Sequence, residues 1–185
     1  MERVPYQVTS AAARYAGIDT LPVSVLLENI RSMYNVGAFF RTADATSAEP
    51  LILCGITAVP PHHGISKTAL GAEETVRWER FEDSLSAVRL MRDRGYEIAA
   101  VETSQHAVDL FDWVPRFPVC VVFGNEVDGI TTAVSELCDT HVRIPMLGLK
   151  HSLNVATAGG VILYELLRKY RGLASSTLHN QRVLP

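Results

Sequence analysis

One polar stretch, residues 28–45, combines two side chains that can orient or stabilise a reacting group. Asn35 offers an amide that can cap a helix, and Arg41 offers a rigid fork of N–H donors suited to a phosphate or a developing negative charge. Gly37 and Arg41 are four residues apart and share a helix face, whereas Asn35 and Arg41 are six apart and need not. A helix cap followed by a surface arginine is the ordinary structural interpretation, and it stays open.

A second stretch, residues 123–130, brings a carboxylate to the end of a β-like apolar run. Gly124 permits close approach of a ligand to the backbone, and Glu126 follows where an α/β sheet normally carries its chemistry. A loop that turns at Asp128-Gly129 accounts for Gly129 but leaves Glu126 without a role.

A third stretch, residues 148–160, follows a strand-like run with a glycine-punctuated bend. Ser152 and Asn154 lie at or near the predicted start of a helix. Small residues at 156–160 leave few bulky side chains on the surface of that helix. A flat ligand or another backbone can pack against such a surface. Ser152 as the helix cap, with the small residues as a packing seam, is the structural alternative.

Short apolar runs alternate with helical patterns and form the frame for these three stretches. The strand-like runs are residues 22–30, 50–56, 76–81, 97–103, 117–124 and 141–146. The helical patterns are residues 35–47, 66–75, a segment between the Glu82-Asp83-Ser84 cap and Gly95, then 131–138 and 152–170. This order predicts an α/β fold with a mainly parallel sheet covered by helices on both faces, which binds ligands at the carboxyl ends of its strands.

Composition narrows the class of protein. The chain has 185 residues, 48% of them apolar and 20% charged, which is typical of a globular protein. Its formal net charge is −3, so its surface as a whole does not attract polyanions, and DNA is not an expected partner. No apolar stretch is long enough to span a membrane, and the three cysteines are interpreted as core residues of a cytoplasmic protein. The sequence contains no GxGxxG fingerprint, no P-loop and no histidine or cysteine pair at metal-ligand spacing.

Taken together, the three stretches resemble the SpoU family, also called the TrmH family, of S-adenosylmethionine-dependent RNA ribose 2′-O-methyltransferases. The similar motifs are N-x-x-x-x-x-N-x-G-x-x-x-R-T at residues 29–42, F-G-x-E-x-x-G at 123–129 and I-P-M-x-G-x-x-x-S-L-N-V at 144–155. The resemblance implies a SPOUT-type α/β knot, in which a C-terminal trefoil knot holds the methyl donor. It also implies an obligate homodimer with the active site at the subunit interface. The expected division is an N-terminal extension at 1–20, a methyltransferase domain at 21–171 and a C-terminal tail at 172–185.

The resemblance also assigns roles to particular residues. The residues implied to line the pocket for S-adenosylmethionine are Thr103, Gly124, Ile144, Met146 and Leu153. The residues implied to form the catalytic cluster are Asn35, Arg41, Glu126, Ser152 and Asn154. A guanidinium holds its proton far above neutral pH, so we expect Arg41 to grip a phosphate and stabilise an alkoxide rather than to act as the base. No metal is expected.

Structured RNA is the expected substrate, with tRNA slightly favoured over ribosomal RNA. The basic residues expected to contact it are Arg14, Arg31, Lys67, Arg77, Lys150 and His151. Two other functions stay open. A non-catalytic RNA-binding knot dimer would bind the donor without transferring its methyl group, and a small-molecule enzyme on a nucleotide-binding sheet would prefer a dinucleotide.

Overall fold

The computed structural model describes residues 20–104 and 106–181, with side chains as far as Leu173. Residues 1–19 of the predicted extension at 1–20, including Arg14, and residues 182–185 of the predicted tail lie outside the described residues. The strands are β1 (Val23–Glu28), β2 (Leu51–Cys54), β3 (Trp78–Phe81), β4 (Glu97–Val101), β5 (Val108–Asp109), β6 (Val119–Phe123) and β7 (Thr140–Arg143). The helices are α1 (Met33–Thr46), α2 (His63–Ala69), α3 (Ala72–Thr75), α4 (Ser84–Asp93), α5 (Thr132–Ser135) and α6 (Val155–Gln181).

The described strands form one sheet in the order β3-β2-β1-β6-β4-β7-β5. Every pairing between neighbouring strands of this sheet is parallel, which confirms the predicted α/β class. The six predicted strands are all present, each shorter than its apolar run. The sequence pattern missed β5, because two residues are too short to display a periodicity.

Alternate residues of the central strands pack into two separate cores. In β1, Val25 and Leu27 join the core that contains α1 and α6, whereas Leu26 joins the core against α4. In β6, Val121 and Val122 divide between the two cores in the same way. Both strands are fully buried, which explains why they appear in the sequence as mainly apolar runs without a regular polar alternation.

The chain leaves β1 and β6 in opposite directions along the sheet. β1 connects through α1 to β2 on one side, and β6 connects through α5 to β7 on the other. These connections diverge above the carboxyl ends of two paired strands, and such a switch point opens a crevice where parallel sheets bind ligands. The residues after β1 and after β6 are therefore the ones the fold brings together.

Two helix starts differ from the prediction. Ser32, not Asn35, caps α1, and its hydroxyl accepts the Asn35 N–H at 3.4 Å. Asn154, not Ser152, caps α6, and its carboxamide oxygen accepts the N–H groups of Ala156 at 3.0 Å and Thr157 at 3.3 Å. The predicted cap at Asp83 is confirmed. The Asn35 side chain is thereby left available for other contacts.

Helix α6 is longer than predicted. It continues to Gln181, whereas the apolar pattern ended at 170. Ile162, Leu163 and Leu166 are fully buried inside this chain and complete its core. Val161 and Tyr164 are the exposed apolar residues in this part of the helix.

Gly159 sets the distance between α6 and α1. A Cβ at this position would lie 2.2 Å from Cε1 of Phe39, a fully packed ring that stands 5.0 Å from the ring of Phe123. We expect Gly159→Ala to lower the free energy of unfolding by about 1–3 kcal/mol, because overpacking outweighs the gain of about 1 kcal/mol from removing a helical glycine. Urea unfolding measures the difference.

Gly172→Ala is the matched control for this substitution. Gly172 is exposed on the same helix, and no described atom would lie within 4 Å of its Cβ. The control should therefore gain up to about 1 kcal/mol. Equal shifts in the two variants would contradict the role of the α1–α6 contact.

Candidate active site

Glu126 connects the loop after β6 to the start of α1. Its carboxylate oxygens accept the backbone N–H of Arg31 at 3.0 Å and of Ser32 at 3.1 Å. The same carboxylate accepts an N–H from the Asn35 carboxamide at 2.8 Å. These donors lie at the N-terminal end of a helix, where backbone N–H groups are unpaired and a negative charge is favoured. The structure thus gives Glu126 a role that a simple turn does not require.

Asn35 extends this arrangement to the third predicted stretch. Its carboxamide oxygen accepts an N–H from the Asn154 side chain at 3.2 Å, while its nitrogen donates to Glu126. Glu126, Asn35 and Asn154 are far apart in the sequence and form one hydrogen-bonded series. We call this series the polar relay. It spans the ends of β1 and β6 and the start of α6.

The Glu126 carboxyl group is held in its charged form. Partial burial alone would raise its pKa, but hydrogen bonds from the Arg31 N–H, the Asn35 amide and the Ser32 N–H outweigh that effect and hold the pKa below its ordinary value of 4.5. An ionised carboxylate with a low pKa is a weak general base at neutral pH. Its chemistry here is to orient donors rather than to remove a proton.

A cavity of about 480 Å³ lies beside the polar relay, between the ends of β4 and β6 and the segment that leads into α6. This volume is within the range of about 300–1,000 Å³ typical of sites for small molecules. The predicted pocket residues all line it: Thr103, Gly124, Ile144, Met146 and Leu153. Of the predicted catalytic residues, Glu126, Ser152 and Asn154 line the cavity as well.

The charge of the cavity wall limits what can bind. Two carboxylates, Glu102 and Glu126, line the cavity, and none of the described lining residues is Lys, Arg or His. A wall of this composition favours a positively charged ligand and disfavours the phosphates of a dinucleotide. Among the residues that the structure describes, no group of three metal-ligating side chains is present.

Arg41 is the predicted catalytic residue that belongs neither to the cavity lining nor to the polar relay. It is exposed on α1, and its side chain makes no hydrogen bond or ion pair with any described residue. Its separation from Asn35 by six positions turns the two side chains to different sides of the helix. Within one chain the structure therefore brings together the carboxylate and the two asparagines, but not the guanidinium.

The loop after β6 is shaped by residues that the sequence analysis missed. The Asn125 carboxamide donates to the Asn29 carbonyl at 2.9 Å, and its oxygen accepts the Val127 N–H at 2.8 Å. The buried Glu28 carboxylate accepts the N–H of Thr131 at 2.9 Å and its hydroxyl at 2.8 Å. These bonds fix the loop on both sides of Glu126. A polar residue at the end of each buried strand was the available signal.

The packing of the chain's own loop also requires a glycine at position 124. A Cβ there would lie 2.2 Å from the backbone of Gly129 and of Ile130. The close approach is therefore made by the chain's own loop, which folds back over the end of β6. Gly129 has a φ of 73°, as expected for the predicted turn glycine.

The pH dependence of stability tests the contacts of Glu126. Because the folded pKa is lowered, the stabilisation is fully present above about pH 4.5 and is lost as the pH falls through the lower folded value. We expect Glu126→Gln to be less stable than the wild type by about 1 kcal/mol at pH 7, since one backbone N–H loses its acceptor. The difference should shrink as the pH falls below about 4.5 and through the lower folded pKa. Urea unfolding between pH 3 and 7 measures it.

Glu74→Gln is the control for this titration. Glu74 is exposed, and its carboxylate has no hydrogen-bond partner among the described residues. The control should follow the wild type at every pH. A difference for Glu126→Gln that does not change with pH would contradict a stabilising carboxylate.

Comparison with known proteins places this chain in a family. Residues 22–164 match the model of the SpoU rRNA Methylase family. A TrmH family tRNA/rRNA methyltransferase of Staphylococcus haemolyticus is 30% identical over 149 residues, covering 80% of this chain and 59% of the relative. The chain thus spans about three-fifths of the length of that relative.

Solved structures share the fold. The SpoU methyltransferase AviRb from Streptomyces viridochromogenes, in complex with AdoMet, matches with a TM-score of 0.70 and 33% identity, covering 82% of this chain and 58% of that one. A structure described as giving insight into the 2-OH methylation of C/U34 on tRNA matches with a TM-score of 0.72 and 26% identity. That alignment covers 81% of this chain and 97% of the other.

Proposed function

Because the chain belongs to the SpoU rRNA Methylase family, we propose that it transfers a methyl group from S-adenosylmethionine to the 2′-oxygen of a ribose in structured RNA, with tRNA slightly favoured over ribosomal RNA. One observation carries this proposal. The polar relay of Glu126, Asn35 and Asn154 lies at the wall of a cavity that carries two carboxylates and no described basic residue.

The cavity suits the proposed donor. Ile144, Met146 and Leu153 provide apolar surface for a flat adenine ring, and the two carboxylates favour a cation. The hydroxyl oxygen of Ser104, which also lines the cavity, is buried and has no hydrogen-bond partner among the described residues. A polar ligand there would satisfy it. Bound in this cavity, S-adenosylmethionine supplies a methyl carbon made electrophilic by its positively charged sulfur.

The acceptor ribose would bind beside the polar relay. A sugar hydroxyl is a weak nucleophile at neutral pH, so catalysis depends on its position and on stabilising the charge that develops on its oxygen. The exposed Ser152 hydroxyl and the Asn154 carboxamide line the cavity and would orient the ribose. Glu126 holds Asn35 in place, and Asn35 in turn holds Asn154.

We propose that Arg41 reaches this site from a second copy of the chain. It lies outside the cavity of its own chain and has no described partner there, although it belongs to the first motif. A homodimer would place the guanidinium beside the phosphate next to the target ribose, where its charge stabilises the alkoxide. The exposed Val161 and Tyr164 of α6 offer apolar surface for such a contact. The C-terminal knot implied by the family resemblance remains part of this proposal.

Exposed basic residues would contact the phosphates of the RNA backbone. The backbone of Arg31 is bound to Glu126, and Lys150 and His151 immediately precede Ser152. Lys67 is exposed on α2, with its ammonium 5.9 Å from the centroid of the Tyr34 ring. Arg77 fits this role poorly, because it precedes β3 and so lies at the amino edge of the sheet, opposite the cavity.

We place this reaction in the cytoplasm. Cys54, Cys120 and Cys138 are free thiols, as suits a protein of a reducing compartment. In the part of the chain that the structure describes, no helix has the length and apolarity needed to cross a membrane.

Methyl transfer to separate RNA classes tests the proposal. The wild-type chain is incubated with methyl-labelled S-adenosylmethionine and with purified tRNA or ribosomal RNA. We expect label in RNA, and more of it in tRNA. Calorimetric binding of the donor together with no label in any RNA would favour the non-catalytic RNA-binding dimer, and tighter binding of a dinucleotide than of S-adenosylmethionine would favour the small-molecule enzyme.

A further inference from the structure

We propose that Glu102 and Ser104 bind the two ribose hydroxyls of the methyl donor, an inference that rests on the proposed function. Both residues follow the carboxyl end of β4 and line the cavity beside β6. Neither belongs to the three motifs that identify the family.

Glu102 is held in a fixed position with one oxygen left for a ligand. Its backbone N–H donates to the Val142 carbonyl at 3.0 Å, which extends the pairing of β4 with β7 by one residue. Its Oε1 accepts the Ile130 N–H at 3.0 Å. Among the described residues nothing donates to its Oε2. A carboxylate that lines a cavity with one unpartnered oxygen is a ready acceptor for a ligand O–H or N–H.

Ser104 supplies the second, independent observation. Its hydroxyl oxygen is buried in the cavity wall and has no partner among the described residues. A buried hydroxyl without a partner is costly, and it must both donate its proton and accept a hydrogen bond to be satisfied fully. The ligand group that it faces must therefore include an acceptor as well as a donor.

Adjacent ribose hydroxyls fit the chemistry of the pair better than either charged group of the amino-acid part does alone. An ammonium group offers donors only, so the Ser104 proton would stay unpaired. The amino-acid carboxylate offers acceptors only and would be repelled by Glu102. Adjacent ribose hydroxyls both donate and accept, so one can donate to Glu102 while the other accepts from Ser104. The apolar residues Ile144 and Met146 are left to contact the adenine.

Calorimetry with deoxy ligands tests this assignment without turnover. The probes are S-adenosylhomocysteine and its two analogues that lack the 2′- or the 3′-hydroxyl, titrated into the full chain. We expect Glu102→Gln to weaken S-adenosylhomocysteine binding by about 10- to 100-fold, as for loss of a hydrogen bond to a charged acceptor. Against the analogue that lacks the contacted hydroxyl, the same substitution should change affinity by less than about threefold. Ser104→Ala should weaken S-adenosylhomocysteine binding by about 3- to 10-fold.

Controls separate this assignment from folding and from the proposed function. Glu102→Gln keeps an oxygen for the Ile130 N–H, so its melting temperature should match the wild type. Glu74→Gln makes the same change outside the cavity and should bind S-adenosylhomocysteine as the wild type does. An equal loss with all three ligands, or no loss with S-adenosylhomocysteine, would overturn the ribose assignment alone. Failure of the wild-type chain to bind S-adenosylhomocysteine would overturn the proposed function as well.

Discussion

Purified mixed dimers of an Arg41→Ala chain with an Asn154→Asp chain will recover methyl transfer that neither variant shows by itself. Each variant alone should lose at least about 100-fold in single-turnover rate, since Arg41 is proposed to stabilise the alkoxide and Asn154 to orient the ribose. In the mixed dimer, the Arg41→Ala chain keeps an intact cavity and receives Arg41 from its partner. One of the two sites is then complete, so about half of the wild-type rate should return.

Differently tagged chains, coexpressed and purified in two affinity steps, provide the mixed dimers. Arg41 is exposed and has no described partner, so Arg41→Ala should unfold as the wild type does. If the mixed dimer stayed at the rate of the single variants, Arg41 would act within its own chain or not at all, and the proposed dimeric site would be wrong.

A conservative substitution at the same position separates charge from geometry. Arg41→Lys keeps the positive charge but loses the planar fork that can hold a phosphate with two parallel hydrogen bonds, so we expect a rate loss of about 100-fold. Arg89→Lys, an exposed arginine on α4, is the matched control and should transfer methyl groups normally. Near-normal single-turnover methylation by Arg41→Lys would refute the assigned role.

Asn154→Asp should abolish most methyl transfer while leaving the fold as stable as before. Asn154 has two tasks: its oxygen caps α6 by accepting the N–H of Ala156 and of Thr157, and its nitrogen donates to Asn35. Aspartate caps a helix as well as asparagine does and adds a favourable charge at the N-terminus. It offers no donor to Asn35, so a loss of about 100-fold or more in single-turnover rate is expected.

Asn154→Ala completes the comparison. Alanine removes both tasks, so this variant should lose activity and also about 1 kcal/mol of unfolding free energy. Urea unfolding and single-turnover kinetics at saturating RNA measure the two effects separately. An Asn154→Asp variant that transfers methyl groups within tenfold of the wild-type rate would show that the contact with Asn35 is dispensable.

Much of the fold could be predicted from local patterns, for reasons visible in particular elements. β1 and β6 are buried along their whole length and mainly apolar, because α1 and α6 cover one face of the sheet and α4 covers the other. The Asp83 cap depends on contacts within one turn, and the sequence shows them directly. β5 depends only on pairing with β7, a long-range contact with no local signature.

Several residues that meet at the cavity could be named from the sequence, but the hydrogen bonds between them could not. Motif spacing and strand ends pointed to Glu126 and Asn154. A sequence does not show that Ser32 caps α1 in place of Asn35, or that the Asn35 side chain hydrogen-bonds to both Glu126 and Asn154. Glu102 follows β4 at the position that the strand-end rule singles out, yet no pattern distinguishes it from Thr103 beside it. Such distinctions depend on which side chains face the cavity after the strands have paired.

The position of the transferred methyl group is the most direct test of the proposed reaction. RNA methylated by the wild-type chain with labelled S-adenosylmethionine is digested to nucleosides, and mass spectrometry assigns the label to sugar or base. We predict that the label lies on the ribose as a 2′-O-methyl group and that Asn154→Asp places almost none there. Label on a base would contradict the account. So would RNA that stays unlabelled although the wild-type chain binds the donor.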